Sequence, residues 1–350
     1  FGTTDSSSKQ SQTRFMLWTC RCSLVQALFF KYPLADVYRL SSSSSSSTRT
    51  ALFSFDSCSQ TQSTMINFAK GHPNKQLLPT QEMQEIFIKV AASSNEQFLA
   101  GSLNYPRSDP GNGLLLQELQ SFLHRHTHSQ DELGEQPSSE NHHHQPSSSP
   151  LPPPRPLHYF MTHGVSHGLD LICASQTTPG DVVWMENPTY FLAAGIFQSH
   201  RLQVQSLPMT DHGVDLQRLE EELASGTISI PRIIYIIPTH QNPTGRVMPL
   251  QDRWKLAQLA RHYGILVLAD EVYHLLDWRE DARDGRRPAR MSVIDSYLGD
   301  NHADPNTGDD DDASRPKRGC CISISSFTKI FAPGVRCGWI EGPKFIMDAV

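Results

Sequence analysis

The chain has 350 residues, enough for one large or two medium domains at roughly 100–200 residues each. Lys and Arg number 30 against 36 Asp and Glu, a formal charge of −6, and so weakly acidic a chain gives no reason to expect nucleic acid as its main partner. No apolar run reaches the ~18 residues that cross a bilayer, and 7 cysteines without framework or zinc-site spacing make a reduced intracellular enzyme the default.

Residues 1–64 are rich in Ser, Thr and Gln and include the run Ser41 to Ser47. Such a segment cannot bury enough apolar surface to offset its ordering entropy and is expected to be disordered. The favoured reading is an over-long gene model or a fragment, with Met65 near the start of the folded part and a cytoplasmic protein. The alternative is a transit peptide, since Arg and Ser are frequent and acids few, which would make it mitochondrial. Residues 65–125 read as an N-terminal arm and first helices. A Ser-, Pro- and His-rich insertion follows at 126–157, with His142-His143-His144 and Pro152-Pro153-Pro154. Its flanks favour a solvated insertion over a metal site.

From residue 158 the pattern becomes regular. His158–Met161, Asp181–Glu186, Leu202–Leu207, Arg232–Ile237, Ile265–Ala269, Cys321–Ser325 and Val335–Glu341 are short apolar runs. Leu216–Leu223 and Leu250–Tyr263 have helical spacing, with Leu250, Trp254, Ala257 and Ala260 in one stripe. Alternating strands and helices imply βαβ units, and near-continuous apolar strands imply a sheet covered on both faces. The expectation is an α/β domain over 158–344 with a seven-stranded, mostly parallel sheet. Within it, 281–318 carries Asp309 to Asp312 beside Arg315-Pro316-Lys317-Arg318, and reads as a second disordered insertion. It lacks the spaced ligands of an EF-hand. Residues 345–350 read as the start of a helix leading to a further domain.

In open α/β sheets ligands gather beyond the carboxyl ends of the strands. Here polar residues follow the strands directly: Asn242 after Ile233–Ile237, Asp270 and Tyr273 after Ile265–Ala269, Ser326 and Lys329 after Cys321–Ile324, then Arg336. A lysine in a low-dielectric site is readily deprotonated and becomes a nucleophile suited to Schiff-base chemistry. An aspartate can pair with a ring-nitrogen cation, an asparagine can donate to a phenolate oxygen, and an arginine with helix-start donors can hold phosphate. Together these are the partners that pyridoxal 5′-phosphate requires.

Asn187-Pro188-Thr189-Tyr190, Asn242-Pro243-Thr244-Gly245, Asp270-Glu271-Val272-Tyr273 and Ser326-Phe327-Thr328-Lys329 with Arg336 resemble, in order, the class I/II pyridoxal-phosphate-dependent aminotransferases of fold type I. The resemblance implies that Lys329 binds the cofactor aldehyde and moves the substrate proton. Asp270 would hold the pyridine nitrogen protonated, Asn242 and Tyr273 would bind the 3′-oxygen, and Tyr190 would stack on the ring. Gly164, Val165 and Ser166 match the family's phosphate turn, which Ser326 and Arg336 complete. Taken alone, Asp270 could equally cap a helix and Tyr190 serve as core. His163 and His167 read as loop and helix-surface residues and not as metal ligands; no metal site is expected.

The opening Ile66–Pro73 is similar to the 2-aminoadipate and kynurenine aminotransferase branch, as are Leu103-Asn104-Tyr105, Gly111-Asn112-Gly113 with Leu119, and Gln241. The resemblance implies Gly71 beside the substrate, a homodimer in which Tyr105 serves the neighbouring subunit's phosphate, and transamination of an α-amino acid of 2-aminoadipate or aromatic type with a 2-oxo acid. The family's small domain, with its carboxylate-binding arginine, is expected to be largely missing. A lyase or cyclising enzyme of the same fold, or a non-catalytic fragment, are the alternatives.

Overall fold

All four residues of Ile233–Ile236 and all five of Leu266–Asp270 are buried, as strands covered on both sides must be. In the computed structural model, which describes residues 73–92, 104–105, 110–127, 153–226, 228–277, 287–298 and 320–350, each of the seven apolar runs contains a strand. Their segments are β1 (His158–Thr162), β2 (Val182–Met185), β3 (Gln203–Ser206), β6 (Ile233–Ile236), β7 (Leu266–Asp270), β8 (Cys320–Ser326) and β9 (Gly338–Gly342); a hairpin of β4 (Met209–Thr210) and β5 (Gly213–Val214) adds to them. The helices are α1 (Thr80–Ala91), α2 (Gly113–Thr127), α3 (Val165–Gln176), α4 (Phe191–Ser199), α5 (Leu216–Ala224), α6 (Leu250–Tyr263), α7 (Met291–Tyr297) and α8 (Lys344–Met347).

The main sheet runs β1-β9-β8-β7-β6-β2-β3. Neighbours from β8 to β3 are parallel, while β9 is antiparallel to both β8 and β1. Successive side chains alternate between faces. Ile234, Ile236, Val267 and Ala269 meet Trp254, Ala257 and Ala260 of α6, with Leu219 and Leu223 of α5 in the same core. Ile233, Tyr235, Leu266 and Leu268 meet Leu169 and Ile172 of α3 and Phe197 of α4. A third cluster joins Leu115, Leu119 and Phe122 of α2 to Phe327 and Trp339. The anticipated α6 stripe is therefore a core face. Gly264, at φ 69, ends that helix by donating its N–H to Ala260, and glycine bears this left-handed conformation without a Cβ penalty.

Three boundaries depart from expectation. The 281–318 stretch is not wholly without structure: α7 lies within it, with Met291, Val293 and Ile294 buried. Long-range charge pairs order it. Arg290 donates to Glu341 through Nε at 3.2 Å and Nη2 at 2.8 Å, and Asp295 accepts from Arg155 at 3.0 Å and Arg261 at 2.9 Å. Helix α2 continues through His126 to Thr127, whose hydroxyl donates to the Leu123 carbonyl at 2.6 Å. The last strand begins at Gly338 and not at Val335, because Pro333–Val335 forms a 3-10 turn and Arg336 takes the left-handed φ of 49°. The Ser-rich stretch 1–64, the opening with Gly71, most of the insertion at 126–157, and the acidic and basic blocks at 309–318 lie outside the described residues.

Candidate active site

Strand register builds one rim of the site. Thr162 pairs with Gly338, and Gly338 pairs with Ser326, so the ends of β1 and β8 and the start of β9 lie in a row. A Cβ at Gly338 would fall 2.7 Å from the Ser325 carbonyl and 2.9 Å from the Gly164 Cα, so only glycine lets the turn into α3 rest on the sheet. Gly164, at φ 94, then carries the chain into α3. The Arg336 guanidinium leans over this turn, donating from Nη2 to the His163 carbonyl at 2.8 Å. Ser326 Oγ donates to the Cys337 carbonyl at 2.9 Å and accepts from the Thr328 N–H at 3.1 Å.

The ends of β6, β7 and β8 close the other sides. One cavity of about 160 Å³ brings together Val165, Ser166, Tyr190, Asn242, Asp270, Tyr273, Ser326, Lys329 and Arg336. Gly164 lies against Arg336 at its edge. Tyr105 is not part of it; that side chain is 92% exposed. Gly71 lies outside the described residues. Ile237 also lines the cavity without a motif to announce it, while Val272 and Thr328 line it from within two of the motifs, where no role was read for them.

Asp270 is the most buried of the charged residues that line the cavity. It is 5% exposed, and burial pushes its pKa up to about 6, although the Tyr235 hydroxyl donates to it at 3.1 Å and the Val272 N–H at 3.4 Å. A carboxylate so desolvated, on the wall of a cavity, suits a cationic ring nitrogen. Tyr235 is a functional neighbour that the motifs do not reveal; its signal is a lone polar group in an otherwise aliphatic strand. Tyr273 has its hydroxyl raised, mainly by burial and then by Asp270, while a hydrogen bond with Asn242 acts in the opposite direction.

Lys329 is exposed at the cavity mouth, with Nζ 5.8 Å from the Tyr273 ring centre. Burial of the strand end therefore does not extend to the lysine. His163 and His167 are half-buried and stacked, ring centres 5.0 Å apart, and are more than surface residues: His167 Nδ1 accepts the His163 N–H at 3.2 Å. Desolvation lowers the pKa of both. Among the described residues no group of three or more His, Cys, Asp or Glu could hold a metal ion.

The donor set fits pyridoxal phosphate on this geometry. An anion has a cradle of α3 N-terminal amides, Ser166 and an arginine, over a glycine whose Cβ would stand 2.7 Å from Arg336 Nη2. A buried carboxyl lies elsewhere in the same cavity and a lysine at its mouth.

Comparison with known proteins agrees. The family model for aminotransferase class I and II matches residues 157–350. An aromatic amino acid aminotransferase of Schizosaccharomyces pombe is 31% identical over 202 residues, covering 54% of this chain and 39% of its own length. The 2-aminoadipate transaminase of Thermus thermophilus is 30% identical over 197 residues, covering 56% of this chain and 43% of its own. The chain thus spans well under half the length of these two relatives. The kynurenine aminotransferase of Pyrococcus horikoshii, solved with PMP, superposes with a TM-score of 0.57 at 26% identity, covering 80% of this chain and 56% of that one. The seven-stranded sheet is that of fold type I, whose cofactor is pyridoxal phosphate. With more than half of its length inside the family model, the chain belongs to the class I and II aminotransferases.

Proposed function

We propose that the cavity holds pyridoxal 5′-phosphate and that the protein transfers the amino group of a 2-aminoadipate-type or aromatic α-amino acid to a 2-oxo acid such as 2-oxoglutarate. The observation that carries this reading is the convergence of Asp270, Asn242, Tyr190, Ser326, Lys329 and Arg336 on one cavity from the ends of different strands. The bound cofactor supplies an electron sink for the charge left when the substrate Cα loses its proton. Asp270 would hold the ring nitrogen as a cation, and the pairing would offset the burial that raises its own pKa to about 6. Asn242 and Tyr273 would donate to the 3′-oxygen, and Tyr190 would cover one ring face. Gly164, Val165, Ser166, Ser326 and Arg336 grip the phosphate. Lys329 would hold the cofactor's aldehyde end and serve as the base that takes the proton from the substrate Cα. Its side chain is exposed, so no packing would hold the amine in one position.

The substrate class is supported by the named relatives and by the resemblance of the Ile66–Pro73 opening, in which Gly71 would let a long side chain approach the backbone closely. A homodimer is part of the reading: the exposed Tyr105 would reach the phosphate of the second subunit. The test is borohydride reduction of the cofactor-loaded chain followed by peptide mapping. The pyridoxyl label is expected on Lys329, and its recovery on another lysine would refute the assignment. A panel of amino donors with 2-oxoglutarate then tests the substrate; reaction of alanine or aspartate alone would overturn the substrate class and leave the cofactor site standing.

A further inference from the structure

We infer that Gln241 is a positioning residue that sets the spacing between Tyr190 and Asn242 by bolting the loop after β2 to the loop after β6. This rests on the reading of the cavity as a pyridoxal phosphate site. The paired ladder of these two strands stops at Met185 and Tyr235. Beyond it the first loop brings Tyr190 to the cavity, and the second brings Asn242 as well as Ile237.

Gln241 is 5% exposed, and a buried amide is costly unless its groups are bonded. Its Nε2 donates to the Pro188 carbonyl at 2.7 Å, two residues before Tyr190. A longer contact of 3.5 Å reaches Glu186 Oε2, which also accepts the Ile237 N–H at 2.8 Å. On the other side, Gln241 Oε1 accepts the Thr244 N–H at 2.9 Å and its hydroxyl at 2.7 Å. A backbone N–H can only donate and a carbonyl can only accept, so these partners fix which end of the amide is which. The neighbouring His240, held at φ 49, contacts Asp277 Oδ1 at 3.2 Å and ties the same loop to the segment after β7. The loop after β6 is thereby anchored on its β7 side, and Gln241 decides where the loop after β2 stands against it.

Pro188 is exposed, so water can take over its carbonyl when the amide is removed. Gln241→Leu is therefore expected to fold and to lose the spacing. Cofactor affinity, read by titrating the full chain with pyridoxal phosphate and following protein fluorescence, should weaken about tenfold or more. The discriminating measurement is a double-mutant cycle. If Gln241 acts through Tyr190, its effect shrinks to a small factor in a Tyr190→Ala background and persists in full in an Arg336→Ala background. Gln241→Met removes the same hydrogen-bonding groups with a more adaptable side chain; it should show the same dependence on Tyr190, and it keeps the test open if the Leu variant does not fold. Equal effects in both backgrounds, or unchanged affinity in the single variants, overturn the inference while leaving the cofactor site intact. A wild-type chain that takes up no pyridoxal phosphate overturns the cofactor reading itself and this inference with it.

Discussion

Replacing Asp270 by Asn should make the cofactor-free protein more stable at neutral pH and weaken its hold on the cofactor. Burial lifts the Asp270 carboxyl from an ordinary 3.8 to about 6, against the anion-favouring hydrogen bonds from Tyr235 and the Val272 N–H. The folded state therefore binds the proton more tightly than the unfolded chain does. Between pH 3.8 and about 6 folding takes up a proton, so stability falls as pH rises. The contribution of the neutral carboxyl is intact below that window and lost above it. A displacement of this size corresponds to about 3 kcal/mol at neutral pH. Asn carries no charge at any pH, and its carbonyl can still accept from Tyr235. Urea unfolding of the cofactor-free wild type and Asp270→Asn at about pH 4 and about pH 7.5 tests the argument. The two should be similar at the lower pH and differ by about 2–3 kcal/mol in favour of Asn at the higher. Glu186, whose carboxyl burial pushes up to about 7, contributes a similar slope to both proteins and cancels in the difference. A difference independent of pH, or a less stable Asn variant at pH 7.5, would refute the reasoning. The cofactor affinity should move the other way, because the ring-nitrogen cation loses its counter-charge; such opposition is expected where a binding group is kept at the expense of stability.

Gly164→Ala places a side chain at φ 94 and ψ 176, and its Cβ would meet Arg336 Nη2 at 2.7 Å. The expected outcome is a loss of about 1–3 kcal/mol in urea unfolding, with weaker pyridoxal phosphate uptake as Arg336 is displaced from the turn. Arg290→Met strands the fully buried Glu341 without its paired donors, Nε at 3.2 Å and Nη2 at 2.8 Å. It should cost about 3–5 kcal/mol. Adding Glu341→Leu should recover much of that loss, and failure of the double variant to recover any would argue against the ion pair as the cause.

The sheet was legible because its strands are covered on both faces, so Ile233–Ile236 and Leu266–Ala269 are nearly continuous apolar runs that need no tertiary knowledge to find. The cavity residues were legible for a related reason: strand ends converge in such folds, and the motifs sit on those ends. What could not be read depends on partners far along the chain. Helix α7 has only a short apolar pattern amid acidic and basic residues, and its order comes from Glu341, Arg155 and Arg261. Gln241 stood out only as a point of resemblance, and its contact with the loop after β2 shows only when Pro188 is brought to it. A lysine after a buried strand must be exposed, paired or covalently used, and the sequence could not say which; the structure shows Lys329 exposed, three residues beyond a strand that is buried to its end.

Asp270 and Glu271 show the limit most sharply. They are adjacent acids, both buried, and the alternation of side chains sends them to opposite faces of the sheet. Asp270 meets the Tyr235 hydroxyl and the cavity. Glu271 turns to the face of α6 and α7, where it accepts the Met291 N–H at 2.9 Å and lies 3.9 Å from Arg253, itself bonded to the carbonyls of Pro238 and Ala289. One acid is left with a cavity to fill, while the other is placed among cations the fold supplies. Composition cannot distinguish them, since each is an apolar strand's terminal carboxylate. The distinction comes from what stands opposite, and it separates the outcomes of neutralising each. Removing the charge of Asp270 relieves a desolvation cost in the cofactor-free chain. Removing that of Glu271 takes away a partner from Arg253 and an acceptor from the backbone of α7, so it should destabilise the fold with or without the cofactor.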